Sequence, residues 1–111
     1  LWTVPADDHI VHRGDAVFEV FKCVNGQAYC LDDHLAKLSA TADKLSIKKP
    51  AEFDRIKDIL IDAVMAGGEK DALVRLTLSR GPGGFTSNPW ESPGGLLLIA
   101  VMGLSRYGDE K

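Results

Sequence analysis

Residues 16–31, AVFEVFKCVNGQAYCL, admit few folds. Val17, Glu19, Phe21 and Cys23 alternate with Phe18, Val20, Lys22 and Val24, the period of a strand with two working faces. Asn25-Gly26 then predicts a type I′ hairpin turn. A two-residue turn sets Val24 against Gln27 and Cys23 against Ala28, and carries Cys30 opposite Phe21. The two cysteines are then diagonal neighbours, roughly 7–8 Å apart at Cα and beyond easy disulfide reach. They read as a pair of reduced core thiols, which suits a cytoplasmic protein.

Two helices follow. In DDHLAKLSATADKL, Leu35, Leu38, Ala42 and Leu45 share a helical face, with Asp32 or Asp33 as the cap. Pro50 opens the second, where Phe53, Ile56, Leu60 and Val64 recur until Gly67-Gly68 stops it. DALVRLTLSR and LLLIAVM read as further strands around the loop GPGGFTSNPWESPGG, with a loose tail at residues 103–111. The order is strand, strand, helix, helix, strand, strand. The predicted fold class is α+β, an antiparallel sheet with two helices packed on one face, in a single domain of 111 residues.

Helices on one side leave the other side bare. Val17, Phe21, Cys23, Ala28 and Cys30 are expected beneath them. Phe18, Val20, Lys22, Tyr29 and Leu31 are expected on the uncovered face, a patch that needs a second domain, a subunit or a ligand. Arg75 and Thr77 alternate with Val74, Leu76 and Leu78 on the third strand. An arginine there offers a planar fork of donors for carboxylate or phosphate, although a surface pairing with a nearby carboxylate is the commoner use.

Other classes find little support. The net charge of −3 and the absence of a basic run argue against nucleic-acid binding. The longest apolar stretch, residues 96–102, is too short to span a bilayer. His9, His12 and His34 lack metal-ligand spacing, so no metal is expected. Arg13-Gly14-Asp15 reads as a turn before the strand, and RGPGGF lacks the Gly-Lys-Ser/Thr ending of a nucleotide phosphate loop.

The segments RGDAVFEVFKCVNGQAYCLDDHLAKLSATADKL and VRLTLSRGPGG together resemble the N-terminal domain of class IV, fold type IV, pyridoxal-phosphate-dependent aminotransferases, the branched-chain and D-amino acid aminotransferase-like group. That pattern runs Gly-Asp-x-Val-(Phe/Tyr)-Glu, Asn-Gly, then His-Leu-x-Arg-Leu. The resemblance implies a small N-terminal domain over residues 1–111 that closes on a cofactor held mainly by a larger C-terminal domain. The Schiff-base lysine is expected in that C-terminal domain, so no catalytic residue lies here and the fragment alone is expected to be inactive.

By the same resemblance, Phe18, Val20 and Lys22 line the substrate pocket and Arg75 faces a substrate carboxylate. Lys37 stands where the family has its phosphate-binding arginine, keeping the charge but not the fork. Glu19 becomes a supporting carboxylate in need of a partner. Phe85 occupies roughly the position where several other members carry a carboxylate-binding arginine, which counts against the D-amino-acid and aminodeoxychorismate lyase subgroups and favours transamination. The implied partners are an amino acid, a 2-oxo acid and a second subunit, without nucleic acid or membrane. An aminodeoxychorismate lyase-like enzyme and a non-catalytic binding module are the alternatives.

Overall fold

The computed structural model describes residues 3–68, 70–85 and 94–104. Its elements are α1 (His9–Arg13), β1 (Ala16–Val24), β2 (Gln27–Ala28), α2 (Leu31–Lys44), a 3-10 turn (Ala51–Arg55), α3 (Ile56–Gly67), β3 (Ala72–Ser79) and β4 (Leu96–Gly103). The strands form one antiparallel sheet in the order β2-β1-β3-β4. The α+β reading therefore holds, with both long helices on the face carrying Val17, Phe21 and Cys23. Residues 86–93 of the expected loop and 105–111 of the expected tail lie outside the described residues.

The hairpin forms with the expected register, Cys23 opposite Ala28 and Val24 opposite Gln27. Asn25 and Gly26 have φ of 52° and 77°, both positive as the tight turn demands. The second strand is shorter than read. Tyr29 N still donates to Lys22 O, but Cys30 turns into the left-handed region at φ 53° and caps α2. Cys30 is thus exposed rather than opposite Phe21, and Leu31 packs against the core as the first helical residue instead of lying on the bare face. The chain leaves the ladder because a helix starting at Leu31 buries that side chain. Both cysteines are free, and burial pushes the Cys23 thiol above its ordinary pKa.

Leu35, Leu38 and Ala42 are buried as the helical period requires. Asp32 and Asp33 occupy the first turn of α2, where they complement the helix dipole without capping it. Leu45, expected on the buried face, lies outside it as the C-cap; Ser46 turns left-handed and Ile47 fills the core in its place. Pro50 opens the 3-10 turn, and α3 begins only at Ile56. Ile56, Leu60 and Val64 then cover the sheet residues Val74, Leu76 and Leu78 in one cluster. Gly68, at φ 71°, ends α3.

The lead-in segment is tied down more firmly than its polarity suggests. Asp8 caps α1 through Ile10 N, and its second carboxylate oxygen accepts from Ser79 Oγ at 2.9 Å. His9 N donates to Gly81 O, so this segment seals the end of β3. At Gly81, φ is +100° and an added Cβ would fall 1.7 Å from Gly94 O. Gly81→Ala is expected to destabilise the domain by about 2 kcal/mol or more, read as a lower denaturation midpoint at unchanged m-value.

Candidate functional site

The bare face is real. Phe18 and Val20 on β1 are 52% and 38% exposed, whereas Val17 and Phe21 on the opposite face are 6% and 3% exposed. Lys22 continues the outer row on β1 and is exposed. Register puts Val20 opposite Arg75, Phe18 opposite Thr77 and Lys22 opposite Leu73. Ala100 flanks Arg75 on the other side, and Met102 flanks Leu73. The sheet thus gathers Phe18, Val20, Lys22 and Arg75 onto one surface of aromatic, aliphatic and cationic side chains.

Arg75 does not follow the surface-pairing reading. Its Cζ sits 4.2 Å from the centroid of the Phe18 ring, a cation–π stack. Among the described residues no carboxylate pairs with it. Its N–H fork therefore remains available while the Phe18 ring holds its plane in place.

Glu19 points to the helix side and finds the partner that its half-burial requires. His34 of α2 brings Nδ1 within 2.8 Å of Glu19 Oε1, with the imidazole N–H donating to the carboxylate. Lys37, one turn further along α2, stands 4.0 Å from Glu19 Oε2 and is largely exposed. It belongs to the helix-bearing side and not to the row of Phe18, Val20 and Arg75. The sequence-level signal for His34 is its spacing from Lys37, which puts both on one stripe of the helix.

A different pairing escaped the sequence reading. Arg80, just past β3, donates from Nε to Asp15 Oδ2 at 2.6 Å and from Nη2 to Asp15 Oδ1 at 3.3 Å. Its remaining contacts reach the Ser46 and Leu45 carbonyls that follow α2. One guanidinium thereby ties the start of β1, the end of β3 and the end of α2. Asp15 and Arg80 are the Gly-Asp and Arg-Gly of their motifs, but nothing in those motifs pairs them.

Among the described residues no group of three His, Cys, Asp or Glu could hold a metal, and no helix is long and apolar enough to cross a membrane. A groove of about 860 Å³ lies on the opposite side of the sheet from Arg75. Leu60, Val64, Met65 and Phe21 line it, side chains of the core and its margin, and so it is not the candidate site.

An antiparallel sheet with one face under helices leaves the other, bearing this set of side chains, uncovered. The family model for amino-transferase class IV matches residues 16–105, and the chain belongs to that family. It is 42% identical over 86 residues to the D-amino-acid transaminase, chloroplastic, of Arabidopsis thaliana, covering 78% of this chain and 23% of that protein. The branched-chain amino acid aminotransferase of Escherichia coli superposes with a TM-score of 0.82 at 20% identity, over 95% of this chain and 36% of that one. A putative 4-amino-4-deoxychorismate lyase from Legionella pneumophila gives 0.81 at 20% identity, over 95% and 38%. Another branched-chain amino acid aminotransferase of the same fold is solved with pyridoxamine 5′-phosphate.

The chain spans about a quarter of the curated relative and well under half of either superposed chain. Phe85 does not by itself set a D-amino-acid subgroup aside, since a relative this similar carries that name.

Proposed function

We propose that this chain is the N-terminal domain of a pyridoxal-phosphate-dependent transaminase, moving an amino group between an amino acid and a 2-oxo acid. The observation that carries the reading is Arg75: an arginine fork without a carboxylate partner among the described residues, stacked on Phe18 in a face that also carries Val20 and Lys22. Such a surface suits a substrate with a carboxylate at one end and an apolar side chain at the other. Phe18 and Val20 would exclude water from it, Lys22 would add positive charge at its margin, and Arg75 would orient the carboxylate by a two-pronged hydrogen bond.

The cofactor fits the residues present. Lys37 presents an exposed ammonium with only a loose approach to Glu19, whose other oxygen is already satisfied by His34. That leaves Lys37 free to neutralise a phosphate, with His34 holding Glu19 in place. Bound pyridoxal phosphate supplies the electron sink for amino-group transfer. The covalent anchor belongs to a lysine of the C-terminal domain, and the fragment alone is inactive on this reading.

The same reading includes a homodimer, checked by light scattering of the full-length protein, and a cytoplasmic setting, which suits free thiols. Full-length protein is expected to bind pyridoxal phosphate with a visible absorption band and to convert amino acids only when a 2-oxo acid is added. Release of pyruvate from aminodeoxychorismate without a 2-oxo acid would instead establish the lyase, and indifference to the cofactor a binding module. Lys37→Ala is expected to weaken cofactor binding about tenfold in equilibrium dialysis, and Lys37→Arg to restore it.

A further inference from the structure

The open face closes at one end. Along β3, Arg75, Thr77 and Ser79 share the outer face by alternation, and Arg75 is exposed while Thr77 and Ser79 are buried. On β4, Ala100 is exposed, whereas Leu98 and Leu96 further along the same face are half-buried. The cover at that end comes from the N-terminal segment, because Asp8 Oδ2 accepts from Ser79 Oγ at 2.9 Å. The start of α1 therefore stands at the end of the surface that carries Phe18 and Arg75.

The same segment grips the turn that follows Arg80. Residues 81–85 read GPGGF, with Gly81 and Gly84 at positive φ of 100° and 79°. A turn so rich in glycine has little to hold its own shape. Restraint comes from outside: His9 N donates to Gly81 O at 3.1 Å, and Gly83 N and Gly84 N donate to Asp7 O and Asp7 Oδ2, both at 3.3 Å. Asp8 pairs with Pro82 in an isolated antiparallel bridge. His12 Nε2 lies 3.1 Å from Gly84 O and donates to it in that tautomer, and its ring rests against Phe85 with centroids 5.3 Å apart. Phe85 nevertheless stays 73% exposed. Locking a contact side chain through the packing and hydrogen bonds of its neighbours is how a binding surface is preorganised.

We infer that Asp7 and His12 are positioning residues of the substrate pocket: they fix the turn so that Phe85 stands as an apolar end wall beyond Phe18 and Arg75. This rests on the transaminase reading and names its substrate class. With the carboxylate of a 2-oxo acid on Arg75, a side chain directed to this end meets an aromatic ring, since Lys22 lies at the far end of the face. An aliphatic chain gains burial there, and a second carboxylate loses water without finding a partner. The preferred substrates are 2-oxo acids with apolar side chains.

The test measures KM in full-length protein with pyridoxal phosphate, for 4-methyl-2-oxopentanoate and for 2-oxoglutarate. The wild type is expected to favour the former. Phe85→Ala, at an exposed position, should raise the KM for 4-methyl-2-oxopentanoate about tenfold relative to that for 2-oxoglutarate. His12→Ala should move the same ratio in the same direction by about fivefold, and His12→Gln, which keeps a donor for Gly84 O, should restore part of it. Added to Phe85→Ala, His12→Ala should change the ratio no further, the sign of a residue acting through Phe85. Amide exchange of Gly84 should quicken about tenfold in Asp7→Ala, a reading that needs no turnover.

A KM ratio unmoved by Phe85→Ala or by His12→Ala overturns the inference, as does a His12→Ala effect that adds in full to that of Phe85→Ala. Gly84 exchange unchanged in Asp7→Ala removes Asp7 from the role. These results leave the transaminase reading standing. Absence of any 2-oxo acid-dependent turnover in the wild type removes that reading and this inference together.

Discussion

Arg80→Met is expected to destabilise the domain by about 3–5 kcal/mol, the cost of leaving one half of a buried ion pair without the other. Methionine keeps much of the apolar stem, so packing loss contributes little. What remains is a carboxylate at Asp15, itself 24% exposed, facing a side chain that cannot donate. The Leu45 and Ser46 carbonyls lose their donor at the same time. Chemical denaturation of the full-length protein should show the loss, with amide exchange of β1 and β3 accelerating most. The double variant Arg80→Met/Asp15→Leu should recover part of it, because removing both charges also removes the desolvation penalty. Lys49–Asp43, mostly exposed on its acidic side, offers the contrast: Lys49→Met should cost no more than about 1 kcal/mol. Equal losses for Arg80→Met and Lys49→Met would show that Arg80 is not the tie described above.

Arg75→Ala is expected to raise the KM for the 2-oxo acid about 100-fold in the full-length enzyme, the loss of a charge-assisted two-pronged bond of about 3 kcal/mol. The domain should fold as before, since Arg75 lies on the exposed row and only its stack on Phe18 is lost. Arg75→Lys separates charge from shape: it keeps a cation but not the planar fork, and recovery should be partial. Phe18→Leu removes the ring that holds the guanidinium plane, so it should raise KM while leaving Arg75 in place. A KM unmoved by Arg75→Ala would take the substrate carboxylate away from this face. A fall in kcat with constant KM would instead assign Arg75 to the transition state.

The hairpin, most of the apolar stripes of the two helices and the face that β1 buries were legible from residues 16–64 because each is a local, periodic property, whereas β4, read as a buried strand, has no fully buried residue. Two-residue alternation separates Phe18 and Val20 from Val17 and Phe21 whatever surrounds them, and Asn25-Gly26 sets the register that follows. The bare face and its arginine follow from that alternation together with the strand order.

Where elements meet was not legible. The sequence assigned Cys30 and Leu31 to the strand, because alternation does not mark the residue at which a strand yields to a helix. Nor could periodicity pair Glu19 with His34, join Asp15 to Arg80 across 65 residues, or bury Asp8 and His9 in a segment that reads as polar. Each depends on which chain ends the sheet brings together. A buried polar group takes whatever partner packing places within reach, and that is a fact of three dimensions.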